Sequence, residues 1–462
     1  MNSLPTELLQ SLQNIKGFNE EAFKAVHQSG GQITSVRLNP EKLKIKNSKL
    51  KIEGAVPWSS KGYYLAERPS FTLDPLFHAG AYYVQEASSM FLEETLKQTV
   101  DLKQPLKILD LCAAPGGKST LIQSIISKNS LLVSNEVIKT RVNILSENIT
   151  KWGAANVIVT NNDPKDFQRL PNYFDVIVVD APCSGSGLFR KDPNAINEWS
   201  ENNVQLCALR QQRILTDIIP SLKEGGVLIY ATCSYSQSED EEIADWLIEQ
   251  FKVESLKLKV DENWRIVETV SEKQKASGYR FYPDKVKGEG FFIAAFKKRG
   301  SDSEANTEVK SQKSKIKNNA AFVTAKEIET LKPYLINAGD FFFIKQNEEV
   351  IAMPLHLEND LVIIQSALYI KKAGVRLGTI IRNELIPAHD LAVSNIINAA
   401  VPRQEVDKET ALQYLRREEI KIESTVKGWV LLTHKLLPVG WIKIISNRIN
   451  NYYPPAWRIL NK

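Results

Sequence analysis

Short apolar runs alternate with helical segments between about Lys107 and Lys298. Runs rich in β-branched and aromatic residues predict strands, and here they are KILDLCA, LLVSNEV, NVIVTN, FDVIVVDAP, GVLIYATCS and FFIAAFKK. Strands that alternate with helices pair in parallel, because each helix carries the chain back to the start of the next strand. The pattern predicts an α/β fold with an open, doubly wound, mostly parallel sheet, whose ligands lie at the carboxyl ends of the strands.

The flanking regions predict further domains. A helical start (TELLQSLQNI) and a strand (TSVRLNP) predict a small α+β cap over residues 1–75, ahead of a catalytic domain over 76–298. Residues 299–319 are polar and charged, which is typical of a linker. The runs FFFIKQ and VIAMPL predict an intermediate α+β domain over 320–395, and GWVLLTH and LPVGWIKII predict a small β-rich domain over 396–462.

Composition limits the class of protein. The chain has 462 residues, of which 43% are hydrophobic and 24% are charged, as in ordinary globular proteins of several domains. No uninterrupted apolar run approaches the ~18 residues of a membrane helix, and the opening MNSLPTELLQ lacks the pattern of a signal peptide. We therefore expect a cytoplasmic, monomeric protein without membrane contact.

Four cysteines are too few and too scattered for a disulfide framework or a paired zinc site. We expect free thiols and no bound metal. Cys207 lies in VQLCALRQQRILTDII, where the helical spacing predicts a small buried hydrophobic residue. Cys183 and Cys233 instead follow two predicted strands, and Cys112 lies in a loop after another.

The net charge is only +5, from 59 basic and 54 acidic residues, but its distribution is uneven. From Ser424 onward the chain contains no Asp or Glu, and basic residues alternate with aromatic ones. This composition predicts binding to a polyanion with exposed bases. The residues concerned are Lys427, Lys435, Lys443, Arg448, Arg458 and Lys462, with Trp441, Tyr452, Tyr453 and Trp457.

The stretch LDLCAAPGGKST, residues 109–120, predicts a strand that breaks into a glycine-rich turn and then a helix. Its last residues match a phosphate-binding P-loop, and FDVIVVD could serve as the magnesium-binding strand of an NTPase. However, Cys112 occupies the first position of the motif, which requires glycine. An NTPase is therefore the less favoured alternative.

A cofactor with an adenosyl group but no phosphates suits the same loop better. Glycine lets the backbone approach such a ligand closely, and an acid after the second strand accepts hydrogen bonds from the ribose hydroxyls. Glu136 occupies that position, Asp163 follows the third strand and could meet the adenine amino group, and Asp180 follows the fourth.

A cysteine beside such a site indicates carbon methylation of a pyrimidine. C5 of cytosine is a poor nucleophile until a thiolate adds to C6. A carboxylate such as Asp180 can form a hydrogen bond with the nitrogen edge of the ring, and a second group can assist elimination of the thiolate. The residues by themselves do not decide whether Cys183 or Cys233 is the nucleophile.

The ordered motifs LCAAPGGKST, NEV, DAPCSGSGLFRKDP, YATCSYSQSEDEE and EGFFIAAF resemble the Nol/Nop/Sun family of RNA 5-methylcytosine methyltransferases. The resemblance implies a Rossmann-like class I methyltransferase fold, with Cys233 as the nucleophile and Cys183 assisting product release. It also implies that Lys191, in RKDP, faces the RNA or the site. The residues implied to bind S-adenosylmethionine are Cys112, Ala113, Ala114, Pro115, Gly116, Gly117, Lys118, Glu136, Asp163 and Asp180.

YYVQEASSM and the tail GWIKIISNRINNYYP extend the likeness to the family's bacterial type that acts on small-subunit ribosomal RNA. In that type the tail resembles a PUA-like RNA-binding domain, which implies that Lys443, Arg448 and Arg458 contact RNA phosphates. We expect methylation of 16S ribosomal RNA, naked or in the 30S subunit. Transfer RNA methylation and a non-catalytic RNA-binding assembly factor remain alternatives.

Overall fold

A computed structural model of the chain describes residues 4–43, 50–300, 323–424, 426–446 and 448–460. Most of the linker predicted at 299–319 lies outside the described residues. No described helix has the length and apolar character required to cross a bilayer.

The described helices and strands have the following bounds. The helices are α1 (Thr6–Leu12), α2 (Glu20–Gln28), α3 (Pro75–His78), α4 (Leu92–Thr99), α5 (Gly117–Ile125), α6 (Lys139–Trp152), α7 (Ala195–Glu198), α8 (Glu201–Ile218), α9 (Glu241–Gln250), α10 (Ala325–Leu331), α11 (Glu358–Ala367), α12 (His389–Val393) and α13 (Lys408–Arg416). The strands are β1 (Thr34–Leu38), β2 (Ile52–Ala55), β3 (Gly62–Leu65), β4 (Tyr82–Val84), β5 (Lys107–Asp110), β6 (Leu131–Asn135), β7 (Val157–Thr160), β8 (Phe174–Asp180), β9 (Leu222–Thr232), β10 (Val253–Leu256), β11 (Val267–Val270), β12 (Ser277–Phe281), β13 (Phe291–Lys298), β14 (Phe341–Gln346), β15 (Glu349–Pro354), β16 (Ile370–Ala373), β17 (Val375–Ile381), β18 (Glu384–Pro387), β19 (Arg403–Glu405), β20 (Gly428–His434), β21 (Leu437–Ile445) and β22 (Arg448–Asn451).

A sheet of ten described strands forms the centre of the molecule, in the order β11-β12-β13-β9-β8-β5-β6-β7-β16, with β10 paired to β13. The five strands from β9 to β7 are parallel, as predicted. FFIAAFKK, however, was predicted as a sixth parallel strand, and β13 is antiparallel to β9. The chain enters β13 from β12 without a described helix between them, so it turns back instead of crossing over.

Helices cover both faces of this sheet. On one face, Leu215 of α8 and Leu247 of α9 are fully buried in the same apolar cluster. On the other face, Leu121 of α5 and Leu145 of α6 are buried in a second cluster. Full burial of each such side chain contributes about 1.5–3 kcal/mol. The two clusters fix the helices, and with them the loops that join them to the strands.

Three smaller sheets flank the central one. They have the orders β2-β3-β1-β4 in the cap, β14-β15-β17-β18 in the intermediate segment and β19-β20-β21-β22 in the tail. The intermediate segment also contributes β16, which pairs antiparallel with β7 and extends the central sheet. The segment predicted as a domain of its own therefore shares a sheet with the catalytic domain.

The tail aromatics correct one expectation from the sequence. Trp441 and Tyr453 have no exposed surface and are core residues, whereas Tyr452 is 38% exposed. The Trp441 indole donates to the carbonyl of Ala388 at 2.9 Å, so it fixes the tail to the intermediate segment. These two aromatics are unavailable for stacking on RNA bases.

Candidate active site

The carboxyl ends of the five parallel strands meet at one edge of the central sheet, and the predicted site residues follow them. Cys112 follows β5, Glu136 follows β6 and Asp163 follows β7. Asp180 ends β8, and Cys233 directly follows β9. The fold thus gathers at one edge residues that are up to about 120 positions apart in the sequence, as expected for a doubly wound sheet.

The glycine-rich loop is held by side chains of α6. Gly116 has a φ of +115°, a conformation that favours glycine. Arg141 donates to the carbonyl of Ala114 at 2.6 Å, and Asn148 donates to that of Pro115 at 2.8 Å. The bonds from α6 hold the carbonyls of the loop in place. Its two glycines, Gly116 and Gly117, present no side chain to a ligand.

Two of the predicted acids have different surroundings. Glu136 is 3% exposed, and its Oε2 has only a long 3.5 Å contact with Arg141. It therefore retains acceptor capacity for the hydroxyls of a ribose. Asp163 is more exposed, accepts from the backbone of Lys165 at 3.1 Å and lies 3.4 Å from Arg213. The loop and Glu136 fit an adenosyl cofactor, while Asp163 caps a local turn.

Cys112 is unsuited to nucleophilic attack. Burial, together with nearby acids led by Asp110, raises the pKa of its thiol. The group stays protonated, so Cys112 is a small lining residue of the loop.

Lys118 and Asp180 connect the cofactor loop with the thiols. The Lys118 ammonium lies 2.7 Å from the Asp180 carboxylate. Burial opposes the charge on Lys118, yet Asp180, and more weakly Asp110 and Cys233, raise its pKa above the ordinary value. A positive charge is therefore fixed beside Asp180, at the strand ends that also carry Cys233.

The two thiols are in direct contact. The Sγ atoms of Cys183 and Cys233 are 3.0 Å apart, and both cysteines are unpaired and partly exposed. The hydrogen bond with Cys233, followed by burial, raises the pKa of Cys183 well above its ordinary value. Cys183 is thus a protonated partner for Cys233. Cys207 is 4% exposed within α8, which confirms the prediction of a buried residue.

A buried acidic run behind the thiols, Glu239–Glu241, is not predicted from the sequence. Asp240 accepts from Thr232 at 2.6 Å and lies 3.0 Å from the buried Arg280. In the sequence the run looks like surface charge. Its position just after TCS was the available signal, since residues close to a nucleophile often support it.

The predicted RNA-contacting residues are dispersed. Lys191 is exposed and follows the Cys183 loop. In the tail, the Lys443 ammonium lies 3.2 Å from Glu384 and 5.0 Å above the Trp429 ring. Arg448 and Arg458 are exposed. Among the described residues, no group of three or more His, Cys, Asp or Glu could hold a metal ion.

Family models match three parts of the chain. "16S rRNA methyltransferase RsmB/F" matches residues 97–297. "Methyltransferase RsmF PUA domain" matches residues 402–459, and "N-terminal domain of 16S rRNA methyltransferase RsmF" matches residues 4–87.

Curated relatives match over most of their length. A ribosomal RNA small subunit methyltransferase F from Aeromonas salmonicida is 30% identical over 440 residues, covering 91% of this chain and 90% of that protein. A protein of the same name from Aliivibrio fischeri is 30% identical over 412 residues, covering 86% and 84%.

Solved structures share the fold. A methyltransferase homolog protein from Pyrococcus horikoshii is 27% identical with a TM-score of 0.51, covering 64% of this chain and all of that one. NSun6 from Pyrococcus horikoshii, solved with SFG, is 20% identical with a TM-score of 0.53, covering 65% and 99%, and shows the fold alone. These comparisons confirm the predicted resemblance and fold class. With 30% identity over 91% of the chain, they show that the protein belongs to the ribosomal RNA small subunit methyltransferase F family of S-adenosylmethionine-dependent enzymes.

Proposed function

We propose that the protein methylates C5 of a cytosine in small-subunit ribosomal RNA through a covalent bond between Cys233 and C6. The pair of thiols 3.0 Å apart carries this proposal. A thiol pair beside a cofactor loop suits a reaction in which one sulfur bonds to the base and the other assists its release. The names of the relatives support ribosomal RNA as the substrate.

The reaction begins at Cys233. Its thiol loses the proton to solvent, and the thiolate adds to C6 of the cytosine, so that the electron pair of the C5–C6 double bond moves to C5. The cofactor, when bound, supplies an electrophilic methyl group. This methyl group would be the electrophile for the electron pair that Cys233 addition places on C5. A base then removes the C5 proton, the double bond re-forms, and the C6–sulfur bond breaks.

The neighbouring residues support these steps. The Lys118 ammonium, fixed beside Asp180, supplies positive charge at the strand ends where the Cys233 thiolate forms and leaves. Asp180, held by Lys118 at 2.7 Å, is oriented to accept a hydrogen bond from the base. The Cys183 thiol, kept protonated by Cys233 and by burial, can donate a proton toward the departing sulfur.

RNA binding brings the target cytosine to the active site. A cytosine in structured RNA must leave its base stack to reach Cys233. The PUA-like tail and Lys191 would contact the phosphate backbone, which gives affinity and register but little sequence choice.

Cysteine variants test the chemistry on RNA that carries tritium at cytosine C5. Cys233→Ala is expected to abolish tritium release and the covalent adduct. Cys183→Ala is expected to form the adduct and retain it on a denaturing gel. Cys207→Ala is the matched control and should behave as wild type. Adduct formation by Cys233→Ala would reverse the assignment of the two thiols.

The substrate is tested in parallel. Naked 16S ribosomal RNA, assembled 30S subunits and transfer RNA are each incubated with enzyme and labelled cofactor. We expect incorporation into one of the two ribosomal substrates, mapped to 5-methylcytosine by bisulfite sequencing. Exclusive labelling of transfer RNA would refute the ribosomal assignment.

A further inference from the structure

Glu239 is a fully buried acid next to the thiol pair. It lies on a short turn between β9 and α9 and has no exposed surface. Such burial is costly for a carboxylate unless donors surround it. Its donors include two serines, each of which directly follows one of the reactive cysteines.

The contacts of Glu239 are specific. Ser184, next to Cys183, donates its backbone N–H to Oε1 at 2.8 Å and its hydroxyl to Oε2 at 2.5 Å. Ser234, next to Cys233, donates its hydroxyl to the same Oε2 at 2.6 Å. Gln211 of α8 donates to Oε1 at 3.1 Å. Both thiol loops are therefore tied to one carboxylate.

We propose that Glu239 is a positioning residue that sets the separation of Cys183 and Cys233, and that it thereby governs release of the RNA adduct. This inference rests on the proposed covalent function. Glu239 contacts neither thiol in its hydrogen bonds, so its effect passes through Ser184 and Ser234.

The two thiols depend on Glu239 to different degrees. Cys233 continues the central strand β9, and its carbonyl accepts from the backbone of Gly187 at 2.9 Å. Cys183 lies in a loop whose residues on either side of the thiol are held through Ser184, which donates to Glu239, and through Gln211, which donates to the carbonyl of Pro182 at 3.0 Å. Loss of the carboxylate should therefore displace Cys183 more than Cys233.

The electrostatics agree with this role. Burial raises the pKa of Glu239, while the hydrogen bonds from Ser184 and Ser234 oppose that rise. A carboxylate with several donors defines one geometry of the surrounding loops. Glutamine can still accept from the Ser184 backbone and pair with both hydroxyls, so it should retain most of that geometry.

The test measures adduct formation and adduct release separately in single-turnover reactions on 16S ribosomal RNA. Glu239→Ala is expected to form adduct within about threefold of the wild-type rate but to release it about 10- to 100-fold more slowly, as for a misplaced catalytic group. Glu239→Gln should restore release. Ser184→Ala, which removes one hydroxyl donor, should slow release to a smaller extent.

A double variant shows whether Glu239 acts through Cys183. In a Cys183→Ala background, Glu239→Ala should slow release by less than about threefold, because coupled residues are not additive. A further tenfold loss in that background would overturn the proposal, as would equal slowing of formation and release by Glu239→Ala alone.

Asp245 provides a matched control for stability. It is 5% exposed on α9 and accepts backbone N–H bonds from Lys273 at 3.0 Å and Gln274 at 2.7 Å. Asp245→Ala should lower the melting temperature without changing the ratio of the two rates. If the wild-type enzyme forms no adduct, the covalent function itself fails, and this outcome is distinct from a failure of the role of Glu239.

Discussion

Asp110, a single buried residue beneath the cofactor loop, makes the stability of the folded protein depend on pH. It has no exposed surface, and its Oδ2 accepts from the Ser119 hydroxyl at 2.6 Å. Its Oδ1 is buried without a hydrogen-bond partner among the described residues. Burial, opposed by the bond from Ser119, raises the pKa of Asp110 to about 7.

The raised pKa predicts how stability depends on pH. Between about pH 4 and pH 7 the folded state holds a proton that the unfolded state has lost, so stability falls as pH rises through this range. Asp110→Asn mimics the protonated form and should remove a loss on the order of 3–4 kcal/mol. Thermal unfolding at pH 5 and pH 8 should therefore show a smaller difference in Tm than in wild type.

Two other acidic residues serve as comparisons for this measurement. Glu289, whose pKa burial also raises to about 7, keeps part of the pH dependence in both proteins. Substitution of the exposed Asp101 by Asn should leave the wild-type difference unchanged. An Asp110→Asn variant with the full wild-type pH dependence would contradict the burial argument.

At the scale of elements, β1 of the cap supports the start of α5. Arg37 of β1 is 1% exposed and stacks on Trp152, with its guanidinium 4.6 Å from the ring centroid. It donates to Thr120 at 2.6 Å, and to the carbonyl of Gly117 at 3.3 Å. The cap therefore holds the first turn of the helix that follows the cofactor loop.

This contact predicts that the cap contributes to cofactor affinity. Arg37→Met keeps the apolar stem but removes the hydrogen bonds that Arg37 donates to Gly117 and Thr120. The affinity for S-adenosylmethionine, measured by calorimetry, should fall about 5- to 30-fold, as expected for about 1–2 kcal/mol. The exposed Arg68, 5.4 Å above Phe71 in the same cap, supplies the control Arg68→Met. Unchanged affinity in Arg37→Met would show that this contact of the cap does not contribute to cofactor binding.

Sequence patterns predicted most central elements but not how the edge strands pair. The strands β5 to β9 are covered on both faces of the sheet, so each forms a nearly continuous apolar run that is easy to recognise in the sequence. The direction of β13 and the position of β16 depend on connections and on contacts with distant strands, which local patterns do not contain. Likewise, the thiol pair was predictable from its motifs, whereas the role of Glu239 depends on tertiary donors such as Gln211.

At the scale of the whole molecule, one half-buried lysine joins three regions. The ammonium of Lys42, a cap residue, donates to the carbonyls of Ala79 and Lys151 in the catalytic domain and of Val393 in the intermediate segment. The last turns of helices provide such carbonyls, and a cation there is favourable. The cap, catalytic domain and intermediate segment are thus held together at one point.

The tail completes this assembly and supplies positive charge. The sequence predicted a basic surface with interleaved aromatics, but composition does not distinguish stacking residues from core ones. Trp441 and Tyr453 are buried, and Lys443 is paired with Glu384. Arg448 lines a groove together with Lys421. Neither Arg448 nor Arg458 forms an ion pair with the part of the chain that the structure describes.

The salt dependence of RNA binding should therefore separate the tail cations. Each phosphate contact that is lost lowers the slope of log K against log salt by about 0.7–0.9. Replacing both Arg448 and Arg458 with Gln should lower the slope by roughly 1.4–1.8 and weaken binding to all RNA sequences alike. Lys443→Gln should change it far less, because Glu384 already pairs with that charge. A larger change from Lys443→Gln than from the double arginine variant would mean that the RNA phosphates contact Lys443 and not the two arginines.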